Sequence, residues 1–222
     1  MGEIPDLHLM KTALIAGSTG LIGSQLLQRL LESDRYTQVI ALTRQDLPHQ
    51  HPKLTQLKID FSKLGESLDD FKADDVFCCL GTTMAKAGTK ENFYQVDFYF
   101  PFLLAKASKQ RGAKQYMLVS ALGADKESSI YYNQVKGEIE EAISRENFQA
   151  VHIFRPSLLL GPRSEQRSGE DAAKIIYKIF GFLIPKKYKA IDSAKVAAAM
   201  LHFASQEHPG IHIHESKDLQ QF

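Results

Sequence analysis

Residues 12–24 read TALIAGSTGLIGS, an apolar run that leads directly into three glycines at positions 17, 20 and 23. The apolar run predicts a short buried strand. The next apolar side chains recur at helical spacing and are Leu21, Ile22, Leu26, Leu27, Leu30 and Leu31. A strand, a glycine-rich turn and a helix in this order predict a dinucleotide-binding unit, because the N-terminus of a helix favours a bound phosphate.

Each glycine has its own expected role in such a turn. Gly17 makes the tight turn, Gly20 lets backbone N–H groups approach a pyrophosphate, and Gly23 lets the helix pack closely on the strand. The spacing is GxxGxxG, whereas the commonest fingerprint is GxGxxG. The residues predicted to bind a cofactor here are Gly17, Ser18, Thr19, Gly20, Leu21, Ile22 and Gly23. The alternative is a glycine-rich turn with nothing bound.

Apolar runs alternate with helical stretches along the chain. The predicted strands are Thr12–Ala16, Gln38–Thr43, Leu54–Ile59, Val76–Leu80, Gln115–Ser120 and Ala150–Phe154. The predicted helices are Leu21–Ser33, Asn92–Gln110, Asn133–Arg145 and Asp171–Phe182, with a kink expected at Pro101. This alternation is typical of an α/β protein and predicts a doubly wound, mostly parallel, Rossmann-like sheet.

The length of 222 residues suits one main domain, so we predict a single dinucleotide-binding domain over residues 1–222. Residues 157–193 are predicted to form a small C-terminal cap, because a polar stretch there, bounded by Gly161 and Gly169, leads into an apolar helix. Such a cap would close over the crevice at the carboxyl ends of the strands. The alternative is an ordinary surface loop followed by a core helix.

Composition and charge exclude several classes of partner. The formal net charge is +1 with both signs interspersed, so we expect no binding to nucleic acid or to an anionic membrane. The chain has no apolar segment near the roughly 20 residues that span a bilayer, so no integral membrane protein is expected, and without a recognisable signal peptide a cytoplasmic location is expected. Adjacent Cys78 and Cys79 suggest neither a disulfide nor a metal site. His212 and His214 would share one strand face without a third ligand, so no metal is expected.

Arg44 indicates the type of dinucleotide. It ends the second predicted strand, where a protein that prefers NAD(H) usually carries an acid, and a guanidinium there suits a 2′-phosphate. We therefore predict NADP(H) rather than NAD(H); the alternative is a solvated surface arginine, with Asp46 two residues on. Asp60, after the third strand, could meet the adenine edge. Gly81, Thr82 and Thr83, after the fourth, would run past the dinucleotide.

Tyr132 and Lys136 form the candidate catalytic pair. Four residues apart on a helix, they share one face, and a nearby ammonium favours the phenolate form of a tyrosine. Such a tyrosine can give a proton to a carbonyl oxygen as hydride arrives from nicotinamide, and Lys136 could also hold the nicotinamide ribose. Ser120 ends the fifth strand at the expected crevice and could hydrogen-bond the same oxygen; the alternative is a hydroxyl that satisfies a backbone group. Ser128 and Ser129 are rivals for its role.

Together these residues resemble an atypical short-chain dehydrogenase/reductase, and five segments make the resemblance specific to the Tat-interacting-protein oxidoreductase group and its bacterial relatives. The segments are FCCLGTT (77–83), AKAG (85–88), GADK (123–126), QVKGE (134–138) and FRPS (154–157), within a match over residues 10–200. The resemblance implies a Rossmann sheet. It implies NADP(H) binding at Gly17, Gly20, Gly23 and Arg44, and catalytic roles for Ser120, Tyr132 and Lys136.

The sequence thus predicts an NADP(H)-dependent oxidoreductase that acts on a small-molecule carbonyl or alcohol. One alternative is an NADPH-sensing binding protein without turnover, in which the apolar residues 175–183, flanked by Lys186, Lys187 and Lys189, contact a protein partner or lipid. A homo-oligomer is equally compatible with the sequence. The other alternative is a sugar-nucleotide epimerase, for whose substrate domain the chain is short.

Overall fold

A seven-stranded sheet forms the centre of the protein. The computed structural model describes residues 10–48, 50–61, 72–161 and 189–222. Among these residues the strand order is β3-β2-β1-β4-β5-β6-β9, and every neighbouring pair is parallel. The strands are β1 Lys11–Ala16, β2 Tyr36–Thr43, β3 Leu54–Lys58, β4 Asp75–Cys78, β5 Gln115–Val119, β6 Ala150–Arg155 and β9 Gly210–Glu215; β7 Leu159–Leu160 and β8 Ile191–Asp192 pair separately.

Helices cover both faces of this sheet. The helices are α1 Leu21–Glu32, α2 Met84–Ala87, α3 Lys90–Tyr94, α4 Phe100–Gln110, α5 Tyr131–Ser144, α6 Ser193–Gln206 and α7 Ser216–Leu219. One core cluster joins one face of the sheet to α4 and α5, and a second joins the other face to α1 and α6. Alternate residues of β1 enter different cores: Leu14 faces the first and Ile15 the second. The predicted doubly wound, Rossmann-like fold is confirmed, and the sheet is parallel in every described pairing.

The long helix expected over Asn92–Gln110 is divided into three pieces. A π-helical turn, Gln95–Tyr99, separates α3 from α4, and the Phe100 N–H donates to the Gln95 carbonyl, five residues back. Pro101 follows in the first turn of α4, the part of a helix in which proline is best tolerated. The structure shows a π-helical turn directly before the proline, and the turn contains Asp97.

Helix α6 and strand β9 were not among the predicted helices and strands. Asp192 begins α6, with its carboxylate accepting a hydrogen bond of 2.8 Å from the Ala194 N–H, and this helix packs on α1. Strand β9 then adds to the edge of the sheet beside β6. The predicted cap, residues 157–193, is described only at its ends, where β7 pairs with β8; the helix expected over Asp171–Phe182 and the apolar residues 175–183 lie outside the described residues. None of the described helices is both long and apolar enough to cross a membrane.

Candidate functional site

A cleft of about 520 Å³ opens at the carboxyl ends of β1, β4 and β5, the edge at which ligands bind in open α/β sheets. The predicted site residues that line it are Thr19, Gly20, Leu21, Ile22, Gly81, Thr82, Thr83, Ser120, Tyr132 and Lys136. It is also lined by residues that were not predicted, among them Lys86, Asp97 and Leu159. The structure thus brings the glycine turn and the candidate catalytic residues to one crevice.

The backbone geometry at Gly17 and Gly23 requires glycine. Gly17 has a φ of +84°, and a Cβ there would lie 2.5 Å from the Cys79 carbonyl oxygen. A Cβ on Gly23 would lie 2.1 Å from the Gly17 carbonyl oxygen, so α1 can approach β1 this closely only with glycine. Helix α1 begins after Gly20 without a side-chain cap. Its first N–H groups therefore stay available for an anion at the cleft.

Arg44 and Asp60 lie outside the cleft lining, at the ends of β2 and β3. Arg44 is exposed and makes no hydrogen bond or ion pair with another residue in the described ranges. Asp46 is engaged instead by Lys58, whose Nζ lies 3.0 Å from its Oδ2. The Oγ atoms of Ser18 and of Thr43, which directly precedes Arg44, are buried without a hydrogen-bond partner in the described part of the chain. The guanidinium at this edge is therefore not held by the neighbouring acid.

Lys136 is tied to a carboxylate that sequence reasoning missed. Its Nζ lies 2.7 Å from Asp97 Oδ1, and both side chains are buried. Burial alone would lower the pKa of Lys136, but the negative charge of Asp97 outweighs burial, and the pKa is raised. Asp97 Oδ2 also accepts a hydrogen bond of 2.8 Å from the Thr82 N–H. One carboxylate therefore fixes both the charged lysine and the loop after β4.

Tyr132, Lys136 and Glu140 follow one another at intervals of four residues along α5, on one helix face. The Tyr132 ring packs against the buried Phe93, with ring centroids 5.4 Å apart, while the neighbouring Tyr131 contacts the same ring at 6.1 Å. This packing holds Tyr132, which is half-buried, at the wall of the cleft.

Ser120 is buried directly after β5, and its Oγ lies 2.5 Å from Glu140 Oε1. The rival serines do not line the cleft: Ser128 Oγ accepts a hydrogen bond from the Ile130 N–H, and Ser129 is exposed. Glu140 was not predicted, although its place eight residues after Tyr132 gives a signal that could have identified it.

The histidines at the sheet edge form a stack. The registers place His212 opposite His152 and His214 opposite Phe154, and His152 Nδ1 lies 3.0 Å from His214 Nε2. As expected, His212 and His214 share one strand face. Within the described ranges no group of three or more His, Cys, Asp or Glu residues could hold a metal ion. Cys78 is buried in the core, whereas Cys79 lies past the end of β4 and lines the cleft.

Comparison with known proteins identifies related sequences. The model of the NAD dependent epimerase/dehydratase family matches residues 13–183. Protein HTATIP2 of Rattus norvegicus is 37% identical over 199 residues, covering 86% of this chain and 80% of that protein. The mitochondrial protein FMP52 of Debaryomyces hansenii is 33% identical over 202 residues, 88% of each chain.

The fold also matches solved structures. The Bordetella bronchiseptica enzyme WbmH in complex with NAD+ superposes with a TM-score of 0.71 at 15% identity, covering 93% of this chain and 76% of that one. At that identity the likeness extends to the fold alone.

Proposed function

Because this chain belongs to the NAD-dependent epimerase/dehydratase family, we propose that it is an NADP(H)-dependent oxidoreductase that moves hydride between nicotinamide and a carbonyl or alcohol carbon. The observation that carries the proposal is one cleft lined by the glycine turn together with Ser120, Tyr132 and Lys136. A proton donor, a cation and a hydroxyl beside a dinucleotide turn are the groups that carbonyl reduction requires.

The cofactor site is proposed from the fit of its residues. The segment Gly17–Gly23 and the uncapped start of α1 would hold the pyrophosphate, because a Cβ at Gly17 or Gly23 would fill the space that the turn needs. Arg44 would bind the 2′-phosphate through charge-assisted contacts, since Asp46 is engaged by Lys58. Asp60 would meet the adenine edge, and Gly81, Thr82 and Thr83 would line the path of the dinucleotide.

The bound nicotinamide supplies or accepts hydride. Tyr132 Oη gives its proton to the carbonyl oxygen during reduction and takes it back during oxidation. The Lys136 ammonium, kept charged by Asp97, stabilises the phenolate left on Tyr132 and can donate to the ribose hydroxyls. Ser120 Oγ would contact the oxygen of the bound alcohol and fix its position.

A calorimetric titration with NADPH, run beside NADH, tests the cofactor assignment. NADPH should bind at least tenfold more tightly than NADH, because charge-assisted hydrogen bonds to the 2′-phosphate contribute about 1.5–3 kcal/mol. Arg44→Ala should remove most of this difference by weakening NADPH alone. Arg145→Ala, which removes an exposed arginine directly after α5 that pairs with Glu141, is the matched control and should change neither affinity. Equal losses for both nucleotides in Arg44→Ala would refute the assignment.

A sugar-nucleotide epimerase is the second candidate, favoured by the family match and by fold likeness to such enzymes as the UDP-Glc/GlcNAc 4-epimerase of Campylobacter jejuni. UDP-glucose binding to the NAD-loaded protein would support it, and binding of carbonyl compounds to the NADPH-loaded protein would support the reductase. A third possibility, an NADPH sensor with a protein partner or a homo-oligomer, would involve residues 175–183. Cytoplasmic location stays a prediction, because the FMP52 relatives are named as mitochondrial.

A further inference from the structure

Glu140 makes three short contacts beside the proposed catalytic residues. Its Oε1 lies 2.5 Å from Ser120 Oγ and 3.0 Å from Arg155 Nε, and its Oε2 lies 2.6 Å from Arg155 Nη2. The guanidinium is anchored in turn by Glu215, whose Oε1 lies 3.1 Å from Arg155 Nη1. Ser120 and Glu140 are both buried. The crevice hydroxyl is therefore the end of a polar chain that runs from α5 through β6 to β9.

The proton in the short contact between Ser120 and Glu140 can be assigned from its neighbours. Arg155 offers two N–H donors to the two carboxylate oxygens, a fork that pairs with an ionised carboxylate. The hydrogen bonds to Glu140 raise the pKa of Arg155, although burial opposes them, so the guanidinium stays charged. An ionised carboxylate has no proton to give. The Ser120 hydroxyl is therefore the donor in this contact.

A serine hydroxyl carries one proton and two acceptor lone pairs. We propose that Glu140 is a positioning residue that takes the hydrogen bond of Ser120, so that Ser120 meets the substrate only as an acceptor and the site favours a ligand group with a hydroxyl proton. The substrate part of this inference rests on the proposed function. Of Ser120 and Tyr132, only Tyr132 then donates a hydrogen bond to a carbonyl oxygen. The alcohol that forms on reduction donates its own O–H to Ser120.

Proton NMR of the cofactor-free protein tests where the Ser120 proton lies, without a substrate. A hydroxyl proton held in a short bond to a buried carboxylate should exchange slowly and resonate downfield of the backbone amides, with an Overhauser contact to the Ser120 β protons. Ser120→Ala removes the donor and Glu140→Ala removes the acceptor, so each should abolish the resonance. Ser120→Thr restores the hydroxyl and should restore the signal, while Ser129→Ala, at an exposed serine, should leave it unchanged.

Each outcome decides the inference. A downfield resonance that requires both Ser120 and Glu140 supports it. A Ser120 hydroxyl that exchanges rapidly in the unmodified protein overturns it, and so does a resonance that survives Glu140→Ala, because the Ser120 hydroxyl would then donate to a group other than Glu140. The unmodified protein gives this answer even where a variant fails to fold. Failure to bind NADPH would refute the proposed function without changing the NMR result. The proposed function and the inference about the Ser120 proton can therefore fail separately.

Discussion

Asp97 Oδ1 lies 2.7 Å from Lys136 Nζ, and the other oxygen of the same carboxylate accepts the Thr82 N–H at 2.8 Å. The π-helical turn before Pro101 contains Asp97, and Lys136 projects from the middle of α5. The loop that would carry the dinucleotide and the helix that would carry the acid and base are therefore held together by one buried carboxylate.

Asp97→Asn should weaken NADPH binding and destabilise the fold. The amide can still accept from the Thr82 N–H, but Lys136 loses its buried counter-charge, and breaking such a pair costs about 3–5 kcal/mol. Chemical denaturation and calorimetry measure the two effects. Arg145→Ala, which breaks an exposed ion pair, should alter stability by less than about 1 kcal/mol.

The same pair gives an alkaline pH dependence. The folded protein raises the pKa of Lys136 above its usual 10.5, so the protonated lysine stabilises the fold fully below that value. This stabilisation is lost as the pH rises through the raised pKa, because Lys136 then loses its proton and Asp97 is left as a buried charge without a partner. The gap in Tm between the unmodified protein and Asp97→Asn should therefore shrink at strongly alkaline pH. A gap that stays constant would contradict the coupling.

Tyr132→Phe should abolish turnover while leaving NADPH affinity nearly unchanged. The substitution removes only the hydroxyl, and the ring can still pack against Phe93. Loss of a general acid should lower kcat by about 10²–10⁴-fold. The measurement is NADPH oxidation with carbonyl compounds that the unmodified protein reduces, beside a calorimetric NADPH titration. Retained turnover would exclude Tyr132 as the proton donor.

Local periodicity made the central part of the fold predictable. The apolar run before Gly17 and the helical spacing after it correspond to β1 and α1 nearly to the residue, because both are fixed by short-range burial. The carboxyl-edge rule predicted Ser120 at the ligand crevice, and the structure places it in one cleft with Tyr132 and Lys136.

The missed residues depend on contacts between distant segments. Asp97 meets a lysine 39 positions later, and Glu140, on helix α5, meets Arg155 at the end of strand β6. The contact of Asp97 leaves no periodic trace in the sequence. The helical spacing that puts Glu140 on the same face as Tyr132 does not show that its partner is Arg155. The alanine-rich helix α6 was missed for a related reason, because small side chains that pack on α1 give a weak amphipathic signal.

Gly23→Ala should destabilise the protein and abolish NADPH binding. The added Cβ would meet the Gly17 carbonyl oxygen at 2.1 Å, and because that atom belongs to the backbone, α1 or the turn must shift. Overpacking of this kind costs about 1–3 kcal/mol or more. Gly112→Ala is the control: its φ is +88° but nothing lies within 4 Å of the added atom, so it should cost about 1–2 kcal/mol of backbone strain and spare the cofactor. Equal NADPH affinity in both variants would argue against the proposed turn.

Asp75→Ala should destabilise the fold without affecting the cleft. This fully buried carboxylate, at the amino end of β4, accepts hydrogen bonds from Tyr36 at 2.8 Å, Gln115 at 2.8 Å and Arg35 at 3.2 Å. Its removal leaves buried donors unpaired, at a cost of about 3–5 kcal/mol. Denaturation should show the loss, while a protein that is still folded should bind NADPH as before. A large change in NADPH affinity would mean that the two edges of the sheet are coupled.

The stacked histidines of β6 and β9 should make the protein lose stability in mild acid. Burial lowers the pKa of His152 to about 3, and burial together with His212 lowers the pKa of His214 to about 4, both from an ordinary value of 6.5. In this pH range the unfolded chain binds protons at these histidines and the native state does not. The free energy of unfolding is therefore highest above pH 6.5 and falls progressively between pH 6.5 and about 3. His152→Phe keeps a flat ring in the stack but removes one group that binds a proton, so the Tm should fall less steeply as the pH is lowered over this range.

His202→Gln, at an exposed position, is the control and should leave the slope of Tm against pH unchanged. A slope that His152→Phe does not alter would mean that other groups govern acid unfolding.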